Sequence, residues 1–320
     1  MWVNEVTKST REQKEATFRK VHSFLEENPR MTYRRISKQL DIYEKTASNL
    51  VNTMIEEGII TNPQARIKSY GNVKEYVYFL DVKNKLRTYH KWIKEECVVY
   101  AGVLVGSPNF WVVSEQPLSI EGEMYVKGVR SDYYVAEPSK MEWNESIAKM
   151  REVVSNFPLW EQDESPLAFH LDEELLWDDE DAVLYQEFKY NLRIPYKPLM
   201  RKYCISCRKI KTWLKRLYET CTVFTRYFPG GINLHDPYLF FIQTDYEKAL
   251  VDLFGCFPTS TLYFKVGDML IIEPYLRSDY LRGNFYHRIQ IPSLLETLIE
   301  KEYITDYNYV LEEYSYWRSV

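Results

Sequence analysis

The chain has 320 residues, 27 of them tyrosine and only 11 glycine, with a formal net charge of −5. That length suits two to three domains with cores of their own, and the composition argues for packed sheets and helices over disordered tails. No apolar run approaches the ~20 residues that span a bilayer. Met1-Trp2-Val3-Asn4-Glu5 lacks a signal peptide's regions, and five cysteines without an export signal predict reduced thiols in a cytoplasm.

The net charge conceals an alternation. Residues 1–96 carry 18 basic against 13 acidic side chains and residues 97–181 carry 5 against 18. Residues 182–230 then carry 11 against 2, and residues 231–320 carry 7 against 13. Basic blocks attract phosphate and acidic ones avoid it, so double-stranded DNA is the expected partner.

In chain order, Phe18, Val21 and Leu25 define a leading helix ending near Asn28-Pro29. Thr32 is a candidate N-cap for a second helix with Ile36 and Leu40 inward. The turn Asp41-Ile42-Tyr43 leads to a third helix over 44–57, stopped by Gly58. Residues 65–69 and 73–80 predict a hairpin around Gly71-Asn72, a wing carrying Arg66, Lys68 and Lys74.

The same pattern returns 163 residues later. Asn28, Arg30, Tyr33, Ile42 and Glu56 fall on Asn191, Arg193, Tyr196, Ile205 and Glu219. Ala47, Leu50, Val51 and Met54 fall on Ile210, Trp213, Leu214 and Leu217, one buried helical stripe in each copy. A self-match at fixed offset marks duplication. The second copy predicts helices over 179–190, 196–203 and 206–219, with an acidic start at Asp179–Asp181, Pro198 in a first turn, Ser206 as N-cap, and a reduced wing at Arg226–Gly231.

Each third helix leaves an outward face. In the first copy it is Lys45, Thr46, Ser48, Asn49 and Asn52, polar groups able to read base edges. In the second it is Arg208, Lys209, Lys211, Thr212 and Lys215, with Ser206 at its start, better suited to phosphates. Arg34 and Arg35 on the first copy's middle helix complete the expected DNA-binding set. A winged helix can also serve protein contacts alone.

Each acidic block reads as strand, helix, two strands, helix, strand, a ferredoxin-like plan. In the C-terminal block these lie near 238–243, 245–254, 259–266, 268–273, 292–301 and 304–312. In the first block, 97–105 is a strand and 141–156 a helix with Ile147, Met150, Val153 and Val154 on one face. Tyr125-Val126-Lys127 and Glu137-Pro138 are matched to Tyr263-Phe264-Lys265 and Glu273-Pro274. The fold expected is α+β, two winged helix-turn-helix units alternating with two ferredoxin-like domains. Its segments are 1–81, a linker helix 82–96, 97–171, 172–231 and 232–320.

This order, with Val266-Gly267-Asp268-Met269-Leu270 between central strands, resembles the Lrp/AsnC feast-or-famine regulators. Residues 172–320 match better than the first half, where Gly128 and Asp132 are separated by an inserted turn. The resemblance implies two protomers fused into one pseudo-dimer, a monomer in that sense or a homodimer. It also implies a transcription regulator with an amino-acid-like effector near Gly267, Asp268 and Asp132. Gly-Asp is equally an ordinary turn pair.

No enzyme, cofactor or metal centre is expected. Cys204-Ile205-Ser206-Cys207 has ligand spacing but lacks two further ligands, and the histidines at 22, 90, 170, 235 and 287 form no paired motif. Sirohaem decarboxylases also resemble tandem Lrp/AsnC units and rely on His and Arg pairs. Arg282, His287 and Arg288 lie in the corresponding region without that family's motif, which leaves a tetrapyrrole-acting enzyme as the alternative, beside a non-specific architectural DNA-binding protein.

Overall fold

Three helices open the chain in the computed structural model, which describes residues 10–155, 165–283 and 285–318. They are α1 (Arg11–Glu27), α2 (Tyr33–Leu40) and α3 (Glu44–Glu56). Thr10 and Gln13 form a capping box at α1, and the Thr32 hydroxyl accepts from the Arg35 amide at the start of α2, so orphan amides at both starts are satisfied. Asp41 takes the left-handed conformation (φ 54°) that ends α2 and turns the chain into α3. Val21, Leu25, Ile36, Ala47, Val51 and Met54 make the core beneath them. The signal-peptide reading of residues 1–5 lies outside the described residues.

A second three-helix set follows much later: α6 (Asp179–Phe188), α7 (Tyr196–Tyr203) and α8 (Cys207–Thr220), with Asp178 and Ser206 as N-caps of α6 and α8. Cys204 (φ 58°) makes the left-handed turn between α7 and α8, 163 positions after Asp41. The chain divides into two compact units, one holding residues 1–66 and 178–233, the other 67–177 and 234–320. The segments thus alternate along the chain, while both helix sets belong to one compact unit and both sheet segments to the other.

The predicted wings are not formed as expected. Strand β1 (Gln64–Ile67) pairs with β7 (Cys221–Phe224) instead of with residues 73–80. The Gly71-Asn72 corner docks on residues 171–175. Asn72 exchanges two side-chain hydrogen bonds with the Leu175 backbone, at 2.8 and 3.1 Å, and the Gly71 amide donates to the Glu173 carbonyl. The second wing is core, since Tyr227 and Phe228 are fully buried and Tyr227 packs among the first helix set. Its turn needs glycine: Gly231 has φ +106°, and a Cβ there would sit 2.6 Å from the Glu57 carbonyl oxygen.

The second unit is built on one antiparallel sheet of ten strands. They are β2 (Tyr76–Asp81), β3 (Val98–Val105), β4 (Phe110–Ser114), β5 (Glu123–Val129), β6 (Tyr134–Val135), β8 (His235–Gln243), β9 (Leu262–Val266), β10 (Met269–Glu273), β11 (Tyr275–Arg277) and β12 (Asp306–Trp317). The order is β5-β2-β4-β3-β12-β8-β10-β9-β6, with β11 added to β8. Arg130, just after β5, bridges to Val266 of β9, and the Ser131 amide donates to the Lys265 carbonyl at 2.9 Å. The two ends of the sheet thus meet.

Inside this closure lies an aromatic core. Phe79 meets Phe241 edge-on at 4.8 Å and stacks on Trp111 at 5.0 Å, while Trp111 and Phe264 stack at 6.3 Å. Strands covered on both faces read as continuous apolar runs, which is why Val98–Leu104 and Phe110–Ser114 are buried throughout.

Numbered within each half, the sheet repeats itself. The first half runs β2, α4 (Lys85–Trp92), β3, β4, β5; the second runs β8, α9 (Glu247–Phe254), β9, β10, α10 (Phe285–Glu300), β12. In both, the spatial order is last, first, third, second. The Tyr125-Val126-Lys127 match to Tyr263-Phe264-Lys265 is corrected by this order, because it equates β5, a last strand, with β9, a second one. The helix predicted over 141–156, observed as α5 (Trp143–Ser155), also belongs elsewhere: Trp143, Ile147, Met150 and Val154 pack with Leu250, Leu294, Leu295 and Leu298 of the second half. Amphipathic spacing specifies a buried face but not which sheet covers it; Asn156 lies outside the described residues.

Candidate nucleic-acid interface

The two helix sets are held by a reciprocal exchange. Arg30 Nη1 donates to the Leu192 carbonyl and Nη2 to the Ile194 carbonyl at 3.1 Å. Arg193 Nη1 donates to the Pro29 and Met31 carbonyls at 3.2 and 2.9 Å. Each guanidinium lies over a tyrosine of the other set, Arg30 over Tyr196 at 4.3 Å and Arg193 over Tyr33 at 4.9 Å. Asn28 and Asn191 brace the backbone amides of Arg30 and Arg193. Every pair in this list is related by the same 163-residue offset.

This frame orients α3 and α8. On α3, Lys45, Asn49 and Asn52 are exposed, with Thr46 and Ser48 half-buried; Asn52 Oδ1 accepts from the Tyr33 hydroxyl at 3.3 Å. On α8, Arg208, Lys211, Thr212 and Lys215 are exposed, and the Ser206 hydroxyl accepts from the Lys209 amide at 3.1 Å. Among the described residues, Arg34, Lys45, Arg208, Lys211 and Lys215 make no ion pair. Cations left without an ion pair remain available to phosphate.

Five expected cations are placed differently. Lys209 Nζ reaches Asp178 at 2.6 Å and Asp181 at 2.7 Å. Its partial burial opposes the charge, but the hydrogen bonds to those carboxylates win and raise its pKa above the usual lysine value. Arg66 is buried, 3% exposed, because β1 pairs with β7 and turns it inward, so the wing role expected for it is corrected. Arg35 pairs with Glu27 at 3.2 Å on the surface. Lys68 and Lys74, both half-buried, belong to the sheet unit and not to the helix unit.

Two surface groups escaped the sequence reading. Tyr43 is 68% exposed at the N-cap of α3, and Lys197 is exposed on the first turn of α7. The 163-residue offset places Lys197 on Arg34 and was the signal for it. The helix macrodipole adds positive potential at both α3 and α8 N-termini.

The expected effector residues do not share one environment. Gly267 (φ +60°) and Asp268 form an exposed two-residue turn closed by the Val266–Met269 pair, as a hairpin with glycine first requires. Asp132 is buried, and both carboxylate oxygens are committed. Oδ1 accepts from the Ser69 amide at 2.8 Å, and Oδ2 lies 3.0 Å from His170 Nε2. Asp132 is thus no open counterpart of the Asp268 turn. All five cysteines are free thiols, and among the described residues no group of three or more His, Cys, Asp or Glu side chains converges. His287 stacks on Tyr280 at 3.8 Å with Nδ1 2.8 Å from the Tyr280 carbonyl oxygen; the Arg282 and Arg288 side chains lie outside the described residues.

Residues 16–61 match the family described as winged helix-turn-helix DNA-binding. This covers α1 from residue 16, all of α2 and α3, and the short extended segment after them. No curated protein matches the chain. Among solved structures the chain is similar to the siroheme decarboxylase NirDL, at 11% identity and a TM-score of 0.45 over 96% of this chain and 93% of that one. The same enzyme in co-complex with an iron-uroporphyrin III analogue gives 11% identity and a TM-score of 0.43 over 94% and 92%. No helix among the described residues is long and apolar enough to cross a membrane.

Proposed function

We propose that the chain is a DNA-binding transcription regulator, without catalytic activity, whose two helix-turn-helix sets arose by duplication and act as one two-fold body. The observation that carries this reading is a set of exposed cations without ion pairs among the described residues, Arg34 on α2, Lys45 on α3 and Arg208, Lys211 and Lys215 on α8, with α2 and α3 lying within the segment that matches the winged helix-turn-helix family. The Arg30–Arg193 exchange and the repeated strand order of the sheet support the duplication. Two last-first-third-second halves read as two ferredoxin-like sheets joined edge to edge through β3 and β12, as two protomers fused in one chain could be.

Within that reading the two recognition helices divide the work. Asn49 and Asn52 on α3 suit base edges; Arg208, Lys211 and Lys215 on α8 suit phosphates. Electrophoretic mobility shift with fragmented genomic DNA tests it. Retention that weakens steeply with salt supports the proposal, and free migration of every fragment at low salt overturns it. An amino-acid effector at the Gly267–Asp268 turn belongs to the same proposal. Its test is a thermal shift with an amino-acid panel, which Asp268→Ala should abolish.

A further inference from the structure

Between the α1–α2 connection and α8 lies a groove of about 410 Å³, wholly within the helix unit. Its size falls in the range of small-molecule sites, roughly 300–1,000 Å³. One wall carries Glu27 and Tyr196; the other carries Lys211, Leu214, Lys215 and Tyr218. We propose that this groove binds a small planar anion, an aromatic ring bearing a phosphate or carboxylate, and that the bound anion competes with DNA for Lys211 and Lys215.

The charges point to an anion. Lys211 and Lys215 are one helical turn apart on one face, so both ammonium groups reach a single acceptor. Both are exposed, and neither forms an ion pair among the described residues. Arg30 is not available to the ligand, being spent on two carbonyls and the Tyr196 ring. The single carboxylate on the opposite wall, Glu27, already faces Arg35 at 3.2 Å. The groove therefore presents two free positive charges against one that is partly neutralised.

The walls point to a ring. Tyr218 is 49% exposed although its neighbour Leu214 is half-buried, so an aromatic face and an aliphatic edge stand open beside the lysines. Base–aromatic contact of this kind favours flat ligands without specifying one. The corresponding positions of the first helix set, 163 residues earlier, are Ser48 and Asn52, and Asn52 already accepts from Tyr33. The paired lysines thus belong to α8 alone. Nucleoside monophosphates and aryl carboxylates share the chemistry required.

Competition rests on the DNA-binding reading; occupation of the groove does not. Calorimetric titration of the full chain with AMP, salicylate and inorganic phosphate tests occupation. Saturable one-to-one binding of AMP or salicylate is expected, at least tenfold tighter than inorganic phosphate. AMP alone would identify a nucleotide site, and salicylate alone an organic-acid site. Tyr218→Ala should weaken the binding at least tenfold with the thermal midpoint and DNA affinity retained. Glu27→Gln should tighten it several-fold. No saturable heat with either aromatic probe, or affinity unchanged in both variants, overturns the proposal. Where duplex DNA binds, the probe should raise its apparent Kd in proportion to probe occupancy, and an unchanged Kd removes the competition. Probe binding with no DNA binding by the same protein would sink the DNA reading and leave the groove.

Discussion

Arg30 and Arg193 each donate into the backbone that flanks the other: Arg30 to Leu192 and Ile194, Arg193 to Pro29 and Met31. Removing either guanidinium leaves two carbonyls without their donors, and an unsatisfied buried group costs about 1–3 kcal/mol. Arg30→Ala and Arg193→Ala should each lower the unfolding free energy from urea titration by that amount. The double variant should depart from additivity by at least ~0.5 kcal/mol, as groups in one network do. Both single variants at wild-type stability would mean the exchange holds nothing together.

His22 gives the helix unit an acid limit. Its side chain is buried, 3% exposed, with Nε2 donating to the Thr225 carbonyl at 2.7 Å, and burial pushes its pKa down to about 4. The unfolded chain protonates this group near pH 6.5 and the folded one only near 4. Stability contributed by neutral His22 is therefore complete above pH 6.5 and lost progressively as pH falls towards 4. Each pH unit is worth about 1.4 kcal/mol, so the full loss is on the order of 3 kcal/mol. His22→Gln keeps a donor and does not titrate. Urea titrations across this window should show a slope in the wild type that the variant lacks, and parallel slopes would assign the acid sensitivity elsewhere.

Lys209 and its neighbours should separate. Lys209 is tied to Asp178 and Asp181, so Lys209→Ala should change the salt slope of DNA binding less than its neighbours do. Lys211→Ala and Lys215→Ala should each reduce that slope by ~0.9. Asn49→Ala should relax base preference at one or two positions, worth about 1–3 kcal/mol. Salt-dependent anisotropy titrations read all four variants; equal slope losses across the three lysines would contradict the roles given to them.

The sheet core predicts its own sensitivity. Phe79→Ala removes a fully buried ring between Trp111 and Phe241 and should cost about 3–5 kcal/mol. Gly102→Ala should also destabilise, because a Cβ there would overlap the Trp111 indole. Thermal unfolding followed by tryptophan fluorescence checks both, and a wild-type midpoint for Gly102→Ala would require the indole to move freely.

Local signals specified the helices more closely than the sheet pairing. Tyr196–Tyr203 is observed as predicted, and Thr32 and Ser206 are the N-caps, because caps and 3.6-residue spacing are local. The wing hairpin failed because Gly71-Asn72 is a good turn only if its flanks pair with each other. Here Asn72 found the Leu175 backbone, and residues 76–81 found β4 and β5. A readable clue was missed: Tyr76-Val77-Tyr78-Phe79-Leu80 aligns with Tyr238-Leu239-Phe240-Phe241-Ile242 at an offset of 162. These are the first strands of the two halves. Each of these strands is followed by a helix, α4 falling within the linker helix expected over 82–96 and α9 following β8. Of the interface, exposure of the α3 and α8 faces was legible, whereas the burial of Arg66 and the capture of Lys209 depend on tertiary partners that no local pattern encodes.

The most direct test is fluorescence anisotropy of short genomic duplexes titrated with the full chain at several salt concentrations. If Arg34, Lys45, Arg208, Lys211 and Lys215 all meet phosphate, the logarithm of the binding constant should fall linearly with that of salt, at a slope near about −4.5. Saturation should come at one chain per duplex site, since one chain supplies both recognition helices. Absence of binding at low salt, or a salt-independent constant, would contradict the account.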